Sequence, residues 1–422
     1  MRIVQLANFY GPTSGGLRTA VDALGRGYLA AGHERALVIP GPKDCWRQDE
    51  NGVTVMLRSP QLPGTSYRVV VEPWRVQDVL ERLRPTSIEV SDKSTMVAGA
   101  RWSARNGTGS VLLSHERLDT HLAPRLGWRR GLVTGTNTVN RVLRRSFDEI
   151  VVTSSFAAEE FARLGGRPVH RIPLGVDLTT FHPDRRHDSD TDDDAGSEAA
   201  SSNSPSTGNV ELTYSDVDRR PAVAADVADV ADMARLVYAG RLSMEKRPDL
   251  AIATAVELHR QGFAFRLDVY GDGPDRETLV RMAGDAPVIF HPYVADRTAL
   301  AVRLAAADVA LSVCPVETFG LAILEALACG TPVVTADQGG GRELLDAGAG
   351  AWAPPEPAML AAAVRAVLTR PPLERREGAR RRAERYPWRS TIDAMLGVHS
   401  SVARTTDRWS VAVGSQPASR AV

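Results

Sequence analysis

Two carboxylates and two cations in the second half of the chain have the types and spacing for chemistry on a phosphorylated sugar. Glu317 and Glu325 are separated by seven residues within PVETFGLAILEALACGTPVV (315–334). From Leu321 the run LAILEALA is apolar and rich in strong helix formers, and Gly330 is a natural stop. The spacing predicts a loop carrying Glu317, a buried helix opening at Gly320, a turn, and a short strand from Val333 to Thr335. A helix that starts at a glycine turn directs unpaired backbone N–H groups and its positive end outward, which suits a phosphate. Glu325 falls on the second turn of this otherwise apolar helix. A buried carboxylate there needs a partner, and a sugar hydroxyl is a good one. A buried helix with one hydrogen-bonded glutamate would account for Glu325 alone, but not for the whole spacing. Upstream, AGRLSMEKRP (239–248) ends a strand and leads into a helix with Pro248 in its first turn. Arg241 and Lys246 thereby sit close to a second helix start and favour an anion; a surface pairing with Glu245 is the plain alternative.

Short apolar strands alternate with helical stretches along the chain, the pattern of a parallel α/β sheet. RIVQLA (2–7) precedes NFYGPTSGGLRTA, whose Gly11, Gly15 and Gly16 permit close backbone approach before a helix from about Leu17 to Ala31. The spacing is not the dinucleotide fingerprint, and the acidic ribose-holding residue expected after the second strand, HERALVIPG (33–41), is missing, which argues against a nicotinamide dehydrogenase. Further on, 51–60 and 66–74 read as β or extended segments, Val76–Leu83 as a helix, and Ser87–Val90 and Gly109–Leu113 as strands. The last of these closes on SHERLD (114–119). Residues just past strand ends line the crevice of a parallel sheet, so His115 is placed for work; an exposed or capping histidine is the alternative. In the second half, strands are expected at Leu236–Ala239, Phe265–Tyr270, Val288–Phe290 and Val309–Val313, the last feeding Glu317. Helices are expected at Ala299–Ala307, 356–369 and 373–385, with glycine turns at 271–274 and 339–341.

ETFGLAILE (317–325) resembles the signature of retaining glycosyltransferase family four, and GRLSMEK (240–246) is similar to that family's diphosphate-binding strand and loop. The resemblance implies a GT-B fold, two Rossmann-like domains facing each other across a cleft. It also implies that Glu317 touches the donor sugar, that amides around Phe319, Gly320 and Leu321 hold its diphosphate, and that Glu325 binds the ribose. Arg241 and Lys246 would stabilise the departing nucleotide, Gly16 would border the donor phosphates with Arg18 toward the acceptor, and His115 would hydrogen-bond the sugar. His291–Val294 is similar to the segment whose backbone reads the nucleobase, with Val294 as the contact, but His291-Pro292 stands where a glycine is usual and leaves the base open. PLGVD (173–177) with Phe181 and Pro183 resembles the crossing between domains, and Tyr386-Pro387-Trp388 the return. SGGLRTAVD, EVSDKSTM and SHERLDTHL look like one branch, actinobacterial mannosyltransferases acting on phosphatidylinositol mannosides; Asp92 and Arg117 would then lie on the acceptor side. The implied reaction is retaining transfer of mannose from GDP-mannose to such a glycolipid, with no cofactor and no metal. The alternatives are a family-four enzyme using a UDP-sugar and a small soluble acceptor, and a non-catalytic scaffold of the same architecture.

The chain has 422 residues, 43% hydrophobic and 24% charged, enough for two or three domains with substantial cores. A formal net charge of zero gives no global pull toward nucleic acid. Cys45, Cys314 and Cys329 have neither metal-ligand nor disulfide-framework spacing, which fits a reducing cytoplasm. No stretch approaches the roughly 20 apolar residues of a membrane span, and the run from Ile3 to Ala7 reads as a strand, not a signal peptide. One local asymmetry stands out: Leu122–Phe147 holds six arginines and Trp128 but no acid. Such a basic amphipathic segment suits an anionic membrane surface, a solvated helix face being the alternative, so a peripheral protein on the inner membrane face is expected. The expected division is 1–175 (acceptor side), 184–232 (an acidic, serine-rich disordered insertion), 233–385 (nucleotide-sugar side), 386–400 (a helix crossing back) and 401–422 (a disordered tail). The D-x-D strings at Asp190, Asp192 and Asp194 are read as decoys, because a solvated run of like charges is no preorganised metal site.

Overall fold

The computed structural model describes residues 1–11, 15–63, 65, 67–120, 129–186 and 233–403. The insertion from residue 187 with its D-x-D strings, the tail from 404, and the 121–128 part of the basic segment lie outside the described residues. Strands of Val, Ile and Leu assemble into two sheets. The first contains β1 (Arg2–Leu6), β2 (Glu34–Gly41), β3 (Cys45–Asp49), β4 (Gly52–Arg58), β5 (Ser87–Val90), β6 (Gly109–Ser114), β7 (Glu149–Val152) and β8 (His170–Arg171), in the order β3-β4-β2-β1-β5-β6-β7-β8. The second contains β9 (Ala234–Ala239), β10 (Phe265–Tyr270), β11 (Val288–His291), β12 (Val309–Ser312), β13 (Val333–Ala336) and β14 (Gly350–Ala353), in the order β11-β10-β9-β12-β13-β14. Every pairing is parallel except β3 with β4. The central strands are buried throughout because helices cover both faces, as parallel sheets require.

Strand order reverses between β1 and β5 in the first sheet and between β9 and β12 in the second. Such reversals open a crevice at the carboxyl ends of the strands. Strands β3 and β14 and the helix Arg276–Ala283 were not legible beforehand. CWRQD at 45–49 is exposed along nearly its whole length, so backbone pairing with β4, not apolar alternation, makes it a strand.

Two crossings join the halves side by side. Val176 N donates to Tyr386 O at 2.9 Å, and a Cβ on Gly175 would lie 2.4 Å from the Trp388 backbone. Asp184–Arg186, expected in the insertion, instead continue a turn: the amides of Arg185 and Arg186 donate to His182 O and Pro183 O. An apolar cluster spans the junction, with Ala20, Leu174, Val176 and Phe181 packed with Ile323, Leu327 and Ala379. The basic helix Pro372–Ala383 also serves this junction. Arg376 donates to the carbonyls of Ala305, Ala307 and Cys329, and Arg380 to those of Leu178, Phe181 and Ala328. Those of Ala305, Ala307, Ala328 and Cys329 lie at or just past helix C-termini, where a cation satisfies both the bond and the helix dipole, while Leu178 and Phe181 belong to the turn after Val176.

The last helix runs Trp388–Val402, past the expected Ser400, and packs on the first sheet. Its His399 is wholly buried, with Nδ1 2.8 Å from Ser87 Oγ and Nε2 3.2 Å from Glu89 Oε2. Tyr28 and Gln5 also donate to the Glu89 carboxylate. Burial works to raise the Glu89 pKa, but hydrogen bonding and charge attraction from His399, with the bonds from Tyr28 and Gln5, hold it below its ordinary value of 4.5. The unfolded chain therefore binds the extra proton between the two values, so this contribution to stability is complete above pH 4.5 and is lost as pH falls through the folded value. Urea unfolding measured across that window should show a steep acid loss in the native protein and a shallower slope in Glu89→Gln.

Candidate active site

The strand-order reversal of the second sheet brings the predicted ionic groups together. Loop 240–247 follows β9, and loop 313–320 follows its neighbour β12. Lys246 Nζ from the first donates to Glu317 Oε2 from the second at 2.7 Å. Lys246 keeps 44% of its side-chain surface exposed and Glu317 keeps 15%, so the pair lies at the crevice wall with the lysine accessible to a ligand. Burial opposes the charge on each, yet their mutual attraction prevails: it raises the lysine pKa and lowers that of Glu317, which backbone N–H groups of Phe319 and Thr318 also stabilise as an anion. Both groups are ionised at neutral pH.

Gly320 adopts φ +100°, a conformation an L side chain resists, and caps the helix Leu321–Ala328 without a side-chain hydrogen bond. Its turn is packed against the glycines at 339–341. Gly340 N donates to Glu317 O at 2.7 Å, and a Cβ on Gly340 would lie 2.1 Å from Thr318 O. Phe319 beneath is buried. Across the crevice, Gly16 faces the tip of the same helix: a Cβ there would lie 3.5 Å from Leu321 Cδ1. The start of the first half's helix Gly15–Ala30 therefore lies against this helix end.

Arg241 leaves the same strand end as Lys246. Its guanidinium lies 5.0 Å over the ring of Tyr67, donates to the Tyr67 hydroxyl, and stands 4.0 Å from Glu245. Tyr67 belongs to the first half, so a phenol reaches across the cleft to a cation of the second. His115 follows β6 with its imidazole 18% exposed, and its carbonyl accepts a hydrogen bond from Thr318 Oγ1 at 2.6 Å. Ser154 Oγ donates to Thr318 O at 2.5 Å, and the Glu343 carboxylate accepts from the amides of Ser155 and Phe156. Of the residues that meet here, the sequence reading named His115 and did not single out Tyr67, Ser154, Thr318 or Glu343. A lone tyrosine, serine or threonine has no spacing that marks it. Thr318 lay inside the 317–325 motif and Glu343 beside the glycine turn at 339–341, but neither was singled out by type or spacing.

Several expected residues stand differently. Glu325 is not short of a partner: Arg297 NH2 donates to Oε1 at 2.9 Å, while NH1 lies 3.4 Å from Thr19 Oγ1 of the first half. Burial raises the Glu325 pKa against that attraction. Arg297 lies 28 positions upstream on another helix, so no local pattern signals it. Arg117, expected toward the acceptor, is buried, pairs with Asp119 at 3.0 Å and Glu159 at 2.8 Å, and stacks over Phe156. Four of its five N–H donors are taken by Asp119, Glu159 and the Phe156 carbonyl, so it holds the segment after His115 in place. Asp92 is likewise buried at the β1/β5 reversal, accepting from the Asn8 and Ser94 amides, and it shapes the loop after β1. Arg18 is half exposed at the cleft, 3.6 Å from Asp22. Val294 lies in the loop after β11. His291, standing where a glycine was expected, stacks on Tyr270 at 4.5 Å and bonds Asp268 at 2.7 Å, so its ring is held by the protein. Among the described residues no group of three or more His, Cys, Asp or Glu side chains could hold a metal ion.

Family patterns match both halves: "Glycosyl transferase 4-like domain" over residues 15–175 and "Glycosyl transferases group 1" over residues 226–385. A GDP-mannose-dependent alpha-(1-6)-phosphatidylinositol dimannoside mannosyltransferase of Mycobacterium tuberculosis is 40% identical over 96% of this chain and 98% of its own. The chain belongs to the group 1 glycosyltransferases. The transferase also superposes on sucrose-phosphate synthase of Thermosynechococcus elongatus with a TM-score of 0.73 at 20% identity, over 95% of this chain and 99% of that one. With WaaG, a glycosyltransferase involved in lipopolysaccharide biosynthesis, the TM-score is 0.65 at 17% identity, over 94% and 99%. These similarities establish the GT-B architecture of the transferase. Gly340 tests how tightly its Glu317 loop is held. Gly340→Ala drives a methyl into the Thr318 carbonyl, an overpacking that costs about 1–3 kcal/mol. Thermal melting should show that loss together with weakened nucleotide binding by calorimetry, whereas Gly107→Ala, whose Cβ meets nothing within 4 Å, should leave nucleotide binding intact.

Proposed function

We propose that the enzyme transfers mannose from GDP-mannose, with retention, to a phosphatidylinositol mannoside, the dimannoside being the first acceptor to test and an α-(1-6) bond the first product. The near end-to-end identity to the mycobacterial mannosyltransferase carries this reading, because it spans the acceptor half as well as the donor half. The crevice supports it chemically. Loss of a nucleoside diphosphate builds negative charge on the leaving phosphate, and fixed positive groups are the largest available stabilisers of that charge. Lys246, Arg241 and the N–H groups at the Gly320 helix tip supply it, with no metal required.

In this reading the diphosphate competes with Glu317 for Lys246, and Glu317, released in part, turns to the hydroxyls of the hexose. His115 holds the opposite side of the sugar. As the anomeric carbon becomes oxocarbenium-like, the acceptor hydroxyl attacks the face the diphosphate is leaving and passes its proton to that phosphate, so no covalent sugar–enzyme intermediate forms. Glu325, already held by Arg297, presents its remaining acceptor capacity to the ribose, and the Val294 backbone meets the base. Gly16 borders the diphosphate and Arg18 faces the acceptor side.

A lipid acceptor calls for a membrane-facing surface. No helix among the described residues is long and apolar enough to cross a bilayer. The described part of the basic segment, Arg129–Ser146, exposes Val139 and Val142 beside Arg141 and Arg145, a combination suited to lying on anionic lipid, while Arg144 turns inward to Phe161 O.

Incubation with labelled GDP-mannose and a lipid extract containing phosphatidylinositol dimannoside should yield labelled trimannoside. Lys246→Ala should lower turnover about a hundredfold or more, the scale of removing one transition-state charge donor. Excess EDTA should leave the rate unchanged. Turnover of a UDP-sugar with no reaction of GDP-mannose would overturn the assignment.

A further inference from the structure

Two of the contacts that join the two halves at the crevice meet at the residue next to Glu317. Thr318 uses both of its polar groups across the cleft: its hydroxyl donates to His115 O at 2.6 Å, and its carbonyl accepts from Ser154 Oγ at 2.5 Å. Ser154 is at the same time the N-cap of the helix Ser155–Ala162, where its Oγ accepts from Ala157 N. A hydroxyl has one proton to give and lone pairs to receive, so both bonds can be held together. The next free donors of that helix, the N–H groups of Ser155 and Phe156, point at the Glu343 carboxylate of the other half at 2.9 and 2.8 Å. A carboxylate at a helix N-terminus meets unpaired donors and the positive end of the dipole together.

We propose that Thr318, Ser154 and Glu343 form a closure clamp that positions Glu317 against His115, making Thr318 a positioning residue for the transfer. None of the four hydrogen bonds survives separation of the halves. Glu317 and Thr318 share a peptide unit, and Thr318 is tied to the carbonyl of His115 itself, so closing the clamp sets the distance between the two sugar-facing residues. Gly340 closes the third side, its amide on Glu317 O and its bare α-carbon against Thr318 O. The glycine is needed because the clamp leaves no room for a side chain. Neither sheet depends on these bonds. Thr318 and Glu343 are only partly buried, and each half keeps its own core without them. The kinetic part of the proposal rests on the roles proposed for Glu317 and His115; the closure part does not.

The test compares full-length wild type with Thr318→Val, Thr318→Ser and Glu343→Gln. Thr318→Val keeps the shape and loses the donor, Thr318→Ser keeps the donor, and Glu343→Gln keeps the length and loses the charge. Small-angle X-ray scattering, without ligand and with GDP, should give a larger radius of gyration for Thr318→Val and Glu343→Gln than for wild type. Turnover of GDP-mannose should fall about tenfold in kcat for each, the rate equivalent of one lost hydrogen bond, with the donor KM within about twofold of wild type. Thr318→Ser should restore both readouts, and melting temperatures should match wild type. The clamp is overturned if Thr318→Val scatters and turns over as wild type does, or if Thr318→Ser is as impaired as Thr318→Val. Failure of wild type to use GDP-mannose would instead count against the donor assignment, while the scattering comparison would still decide the clamp.

Discussion

One ion pair organises the donor side: Lys246 against Glu317, placed where the strand order of the second sheet reverses. From β9 the chain passes to β10 on one side and from β12 to β13 on the other, so the loops leaving these neighbouring strands part in opposite directions, and the gap between them is the crevice. A cation from one loop and an anion from the other meet across that gap. Each keeps the other ionised, and the lysine remains partly exposed to the crevice. A site built this way is organised before its substrate arrives, because exchanging one anion for another needs little rearrangement.

The same economy of charge runs through the scaffold. The basic helix near the C-terminus, which by composition could be taken for a nucleic-acid or membrane surface, turns Arg376 and Arg380 onto backbone carbonyls of two helix ends and of the turn after Val176. Arg117 and Asp119 pin the segment after His115, and Lys93 with Glu160 form a buried pair beneath it, Glu160 also accepting from the Leu118 amide. These pairs are costly to bury and gain little over apolar packing, but once in place they fix a loop to one position, since breaking any of them strands a charge.

The cleft is bridged by more than apolar contact. Tyr67 lies against Arg241, Arg297 reaches from Glu325 to Thr19, and Thr318 and Glu343 bond to the first half. Every bridge has one end beside a residue assigned to the donor. In this arrangement Gly16, at the start of the first helix, lies against the helix tip at Leu321.

Local pattern determined much of this protein. The alternation of apolar strands with helices dictated two parallel α/β halves. The seven-residue separation of Glu317 and Glu325 around a glycine turn, and the GRLSMEK loop, marked the donor side, because short-range spacing controls which groups a strand end and the next helix start can present together. Tertiary structure alone decided the partners. Arg297 meets Glu325, Tyr67 meets Arg241, and Thr318 meets His115 across separations of 28, 174 and 203 positions. No periodicity encodes such distances; they exist only after two sheets have packed. For the same reason Arg117 and Asp92, which sit at strand ends like true site residues, proved to be buried anchors. Sequence places a side chain at the rim of a sheet, but only packing determines whether it turns outward to a ligand or inward to a neighbour.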